Sequence, residues 1–243
     1  MPRPRYAGKR KWAGAAPAAR SAKRSRFVGP RRALVPLRRT TPSRLESKFV
    51  DVNANFYFDN TASSNSHIHP LNLIAQGVGP FERIGRKTQL QAVRLQYEIQ
   101  PYLSPALADR LKVCIVLDKH PDGVVPTYDL MFTSRSSNGT LLSDVDSFPN
   151  VDQADRFRIL HSRVYATGQA DLGAPIARQN MDAQLMKADV YVKLNTPQLF
   201  RGATANIADC QSSAIYLVVM SQGATLASQT WLCHMSSRVR YTE

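Results

Sequence analysis

Between Arg86 and Gln100 the chain reads RKTQLQAVRLQYEIQ, with Thr88, Leu90, Ala92 or Val93, Leu95, Tyr97 and Ile99 set against Lys87, Gln89, Gln91, Arg94, Gln96 and Glu98. A period of two sustained over this length fits a strand with one buried face and fits no helix. The alternation slips by one residue at Ala92 and Val93, where a β-bulge is expected.

Much of the chain beyond residue 45 is of the same kind. Leu45 to Phe58 (LESKFVDVNANFYF) sets Phe49, Asp51, Asn53 and Asn55 against Val50, Val52, Ala54, Phe56 and Phe58. Arg110 to Asp118 (RLKVCIVLD) is apolar on both faces towards its end, as a central strand is. Further strands are predicted over Phe157 to Ala166, Leu185 to Leu194, Ser213 to Ser221 and Thr230 to Tyr241, with a short apolar stretch at Ile68 to Ala75. That makes about eight strands. No ten-residue helical period occurs, although Val151 to Phe157 suits one short helical turn, and Val124 to Asp155 reads as a long surface loop. Without crossover helices a parallel α/β sheet is excluded, and the expectation is an all-β antiparallel sandwich or jelly roll spanning residues 46–243.

Residues 1–45 are different. They hold 14 of the chain's 32 Lys and Arg and none of its 18 Asp and Glu, so 18 of each remain from Glu46 onward and that body is formally neutral. The cations are Arg3, Arg5, Lys9, Arg10, Lys11, Arg20, Lys23, Arg24, Arg26, Arg31, Arg32, Arg38, Arg39 and Arg44. A neutral body with all its net charge in one tail has assigned that tail to a polyanion. Six prolines and runs such as AGAAPAA leave it too little apolar surface to offset its ordering entropy, so disorder is expected until an anion binds. As a flexible coil it would span roughly 35 to 40 Å on average. Arg outnumbers Lys by 11 to 3, which favours phosphate, the planar fork matching its oxygens. Tyr6, Trp12 and Phe27 are candidates for stacking on unpaired bases, or are incidental. Lys9-Arg10-Lys11 and Lys23-Arg24-Ser25-Arg26 also suit nuclear import.

Signals for chemistry are few. The sequence has no GxSxG, no HExxH, no phosphate-cradling glycine loop and no spaced carboxylate pair, so no enzyme and no cofactor are expected. His67 and His69 share one face of a strand, a geometry zinc uses, but no third ligand is near, and a solvated strand start is the simpler reading. Asp118, His120 and Asp122 flank a turn at His120-Pro121-Asp122-Gly123, whose turn chemistry explains them without a cation. Cys114, Cys210 and Cys233 form no CxxC pair and are expected to be reduced and buried. Asn138-Gly139-Thr140 reads as a turn. The longest purely apolar run, Ala214 to Met220, is about a third of a membrane span, and no apolar leader opens the sequence, so neither membrane insertion nor secretion is expected.

Three stretches carry a family resemblance. Arg83-Ile84-Gly85-Arg86-Lys87 stands ahead of a long strand, Lys112 to Asp129 (KVCIVLDKHPDGVVPTYD) runs from a strand ending in Asp through a polar turn, and Asp155 to Leu160 (DRFRIL) opens another strand. With the Arg-rich arm, and in this order over most of residues 46–167, they resemble the capsid proteins of circular Rep-encoding single-stranded DNA viruses, the circovirus-like group. The resemblance implies a single eight-stranded jelly roll, a T=1 icosahedral shell with the arm inside, genome binding by the arm's Arg and Lys, and nuclear entry through host import machinery. Virion and host nucleus are then the expected locations. About sixty arms would bring roughly 840 positive charges, which suits a genome on the order of a thousand nucleotides. The arm is a mixture of Arg with Ala and Pro, less dense than the Arg tracts of circoviruses proper. Satellite RNA viruses share the plan of arm and jelly roll, so DNA against RNA stays open, and a non-assembling shuttle or movement protein is the competing class.

Overall fold

In the computed structural model, residues 47–58, 67–101, 110–135, 141–142, 144–166, 185–222 and 231–243 are described. The arm and the Asn138 sequon lie outside them. Ten strands form among the described residues: β1 Ser47–Phe58, β2 Ile68–Pro70, β3 Lys87–Pro101, β4 Arg110–Asp118, β5 Ser134–Arg135, β6 Leu141–Leu142, β7 Phe157–Ala166, β8 Met186–Leu199, β9 Ala214–Ser221 and β10 Trp231–Thr242. Eight of them build two four-stranded antiparallel sheets, ordered β1-β10-β3-β8 and β2-β9-β4-β7. First pairs with last, β2 with β9, β3 with β8 and β4 with β7. The chain is thus a ribbon folded on itself and wound into a jelly roll, as its alternating strands led one to expect.

The bulge in β3 falls at Gln91, one residue ahead of the expected slip: Leu90 and Ala92 are paired on both sides while Gln91 is skipped. On β1, Val50, Val52, Ala54, Phe56 and Phe58 turn inward as the alternation requires. Leu111, Val113, Ile115 and Leu117 of β4 face Ile215, Leu217 and Val219 of β9 within the core between the sheets, and β4 is central. There the hydroxyls of Tyr97 and Tyr165, one from each sheet, meet at 2.9 Å. Burying this apolar face at about 25 cal/mol per Å2 is the main source of stability.

The second faces of the sheets differ. The even residues of β4 and β9 (Cys114, Val116, Tyr216, Val218, Met220) are buried again, against Tyr128, Met131, Phe132 and Val145. These come from the stretch expected to be a surface loop, which is a cover with its own small core. It contains helix α1, Tyr128–Met131, the β5-β6 pair and a 3-10 turn at Val151–Gln153 that answers to the expected helical turn. The outer face of β1-β10-β3-β8 stays exposed. Strand β8 extends five residues beyond the expected Leu194, through Pro197, because it is an edge strand where a missing N–H costs no ladder bond. All three cysteines are free and buried, and among the described residues no helix is long and apolar enough to cross a membrane.

Candidate nucleic-acid interface

The fourteen arm cations and Tyr6, Trp12 and Phe27 all precede Ser47 and lie outside the described residues. What the structure does place is the point where that segment joins the domain. Ser47, the first residue of β1, pairs with Thr242 at one end of the exposed sheet.

That sheet carries its charges in cross-strand rows. One row runs Asp51, Arg238, Arg94, Tyr191 from β1 to β8, and the next, nearer Ser47, runs Phe49, Arg240, Ala92, Lys193. Arg238 grips Asp51 through two bonds of 2.6 and 2.8 Å, and Arg94 grips Asp189 at 2.5 and 3.0 Å. Lys187 meets Glu98 at 2.9 Å. Hydrogen bonds from Arg94, and from the Gln96 amide at 3.0 Å, hold the Asp189 carboxyl down to about 2. The bonds from Arg238 likewise lower Asp51. Six cations, Lys87 at the start of β3 among them, against three carboxylates leave three over. Among the described residues, Lys87 has no ion-pair partner, and neither do Arg240 and Lys193 in the second row. Both are exposed, as is Tyr191 at 54%.

The cation and carboxylates of the resemblance motifs have other tasks. Arg83 is wholly buried, donating from Nε to the Ile74 carbonyl at 3.0 Å, from Nη1 to Gly85 at 2.7 Å and from Nη2 to Gly202. Burial draws its guanidinium below the ordinary value, with the Asp209 carboxylate pulling the other way. Asp118, also fully buried, takes a fork of 2.9 to 3.2 Å from Arg156, which further meets Asp122 at 3.2 Å. The acid that ends β4 in one motif and the Arg just ahead of β7 in the other are thus joined. The cation at these aspartates is therefore the protein's own Arg156, which nothing in the linear sequence connects to them, and His120 contributes only its backbone N–H to Asp118. His67 and His69 do not share a strand face: His67 precedes β2 and is buried edge-on to Phe58, and His69, on β2 and half-buried, stacks 3.7 Å from Phe56. Among the described residues no three His, Cys, Asp or Glu gather as metal ligands.

No family model matches this sequence, and no curated protein does. Solved structures match at low identity. The native virion of Kashmir bee virus at acidic pH is 10% identical, with 99% of this chain and 92% of that chain covered at a TM-score of 0.34. The Israel acute paralysis virus pentamer is 8% identical over 97% of this chain and 89% of that one, at 0.37. The Macrobrachium rosenbergii nodavirus structure is 12% identical over 81% and 57%, at 0.30.

Proposed function

We propose that this chain is a viral capsid protein, whose jelly roll assembles into a T=1 shell of about sixty copies and whose basic arm packages a single-stranded DNA genome. The observation that carries the reading is the division of charge, 14 net positive charges in the first 45 residues and none in the remainder, on a chain whose remainder is a jelly roll. Fold alone does not give function. A neutral body lets copies approach without net repulsion, while the arms oppose clustering until nucleic acid neutralises them, which couples assembly to packaging. Support for self-association comes from two exposed apolar sites on separate parts of the body: Val78, Phe81 and Ile84 on the loop before β3, and Leu130, Phe148 and Val151 on the cover. The clusters at Lys9 to Lys11 and Lys23 to Arg26 serve nuclear import in this reading, so that the protein is found in the virion and, during infection, in the host nucleus.

Negative-stain imaging and sedimentation of the purified full-length protein, before and after nuclease, test this. Uniform shells with protected nucleic acid are expected, and sequencing that nucleic acid distinguishes DNA from RNA. Small oligomers whose bound nucleic acid stays open to digestion across salt and pH would replace the reading with a non-assembling binder.

A further inference from the structure

The exposed face of β1-β10-β3-β8 has a groove in which two cations stand without a carboxylate. It lies at the end where the arm begins, has a volume of about 510 Å3, and is lined by Ser47, Gln91, Tyr191, Lys193, Arg240 and Thr242 around Ala92. The shape follows from register. Arg240 on β10 and Lys193 on β8 flank Ala92 of β3, so two long cations stand on either side of a methyl group, roughly 10 Å apart at the backbone. The β-bulge at Gln91 sets this row by shifting the pairing on both sides of β3. Tyr191, two residues from Lys193 on the same face, leaves its ring open beside them.

We infer that this groove is a second single-stranded nucleic-acid site, in which Arg240 and Lys193 hold phosphates and Tyr191 stacks on a base, continuing onto the domain the path that begins on the arm. Charge complementarity favours this occupant. Of the other cations of the face, Arg94, Arg238 and Lys187 are neutralised by Asp189, Asp51 and Glu98, and Lys87 stands further along β3 towards the same end, so the free positive charge gathers at the end where the groove lies. Chain connectivity favours it too, because the segment with fourteen cations enters the domain at Ser47, itself a wall of the groove. A strand held by the arm is thereby kept at high local concentration beside it. Exposed guanidinium and ammonium groups with one aromatic platform read no base edges, so binding here is independent of sequence. The site rests on the reading of the arm as a nucleic-acid binder.

The test uses the full-length chain with fluorescent oligothymidylate and oligouridylate over a salt series, and with an iodouracil-substituted oligonucleotide for photo-crosslinking. Expected are a crosslinked peptide containing Tyr191, a log-log salt slope shallower by about 1.4 in the double variant R240Q/K193Q, and about tenfold weaker binding in Tyr191→Ala that Tyr191→Phe restores. Similar results with both oligonucleotides fit the site, whose contacts are to phosphate and base face; loss of either alone would overturn the phosphate-and-stacking account. Crosslinks confined to residues 1–45, with the slope of R240Q/K193Q unchanged, would remove this site while leaving the arm's role intact. A wild-type slope near zero would remove both. R240Q/K193Q altering self-association but neither slope nor crosslinks would assign the face to a second copy of the chain and overturn the inference.

Discussion

The guanidinium of Arg83 lies 4.1 Å over the ring of Phe200, with all three of its nitrogens donating to backbone carbonyls and no side chain of Asp or Glu bonded to it. A buried cation satisfied by carbonyls and a ring ties the loop before β3 to the segments on either side, near Ile74 and Gly202. Backbone bonds reinforce this: Arg83 N–H donates to Ala75 and Gln76 N–H to Ala203, both near 2.8 to 2.9 Å.

Replacing Arg83 by Met keeps much of the volume but leaves three carbonyls without donors. The expected loss is about 3 kcal/mol, read as a lower urea midpoint with an unchanged slope in disassembled protein. Arg83→Lys, which reaches one carbonyl as a point charge, should recover less than half of it. An Arg83→Met protein as stable as wild type would show that the clamp is dispensable.

Asp118 and Arg156 give a second stability prediction. With Asp118 fully buried and the Arg156 side chain only 18% exposed, removing either partner strands the other charge in low dielectric. Asp118→Asn and Arg156→Gln should each cost about 2 to 4 kcal/mol, and the double variant less than their sum, giving a coupling above about 1 kcal/mol in a double-mutant cycle. Additive losses would mean that the fork is not an energetic unit.

How much of this is legible in the sequence depends on the range of the interaction. The alternation in Phe49 to Phe58 and Lys87 to Ile99 reveals both faces of two long strands because period two is local. Pairing is not local: nothing in the residues near Arg240 says that Phe49 and Ala92 will stand beside it, so the row that forms the groove is invisible in the sequence. The cover reads as a loop because Val125, Tyr128, Met131, Phe132 and Val145 have no shared period, and it is their common contact with β4 and β9 that makes them a core. Strand β8 reads as ending at Leu194 because proline at 197 signals a stop unless the strand is known to be an edge. Arg83 is picked out in the sequence only as part of a motif, because the carbonyls of Ile74 and Gly202 and the ring of Phe200 that make it a buried clamp meet it only in the fold. The arm is legible as a charge distribution, which is how such a segment acts.

Asp189 supplies a pH dependence. Its folded carboxyl is held at about 2 by Arg94 and Gln96, below the ordinary value of 3.8, so the folded state binds fewer protons than the unfolded one between these values. The stabilisation is therefore complete above about pH 4 and disappears as pH falls towards about 2. Urea midpoints for wild type and Asp189→Asn should differ by a constant amount above about pH 5, draw together below about pH 4 and converge only towards about pH 2. Asp51, lowered by Arg238, acts in the same direction. A difference that widens on acidification would contradict the assignment.

At alkaline pH the buried acids set the sign. Burial raises Tyr97, Tyr128 and Tyr216 above the ordinary phenol value and pushes the Cys233 thiol up to about 12, while Cys114 and Cys210 are raised as well. The folded state keeps these protons after the unfolded chain has released them, so their contribution is full below about pH 8.5 and lost as pH rises. Lys112 opposes the trend, because burial lowers its value and its folded form deprotonates first, but it is one group against six. Each retained proton tilts stability downward by about 1.4 kcal/mol per pH unit, so urea midpoints should fall progressively from about pH 9 upward. Phenolate absorbance should show fewer than the chain's nine tyrosines ionising before a cooperative unfolding step releases the rest. Cys233→Ala should flatten the decline between about pH 9 and 12, since that proton is then absent from both states. Ionisation of all nine tyrosines in one smooth transition, with no change in folded structure, would show that the core between the sheets and the one under the cover are open to hydroxide.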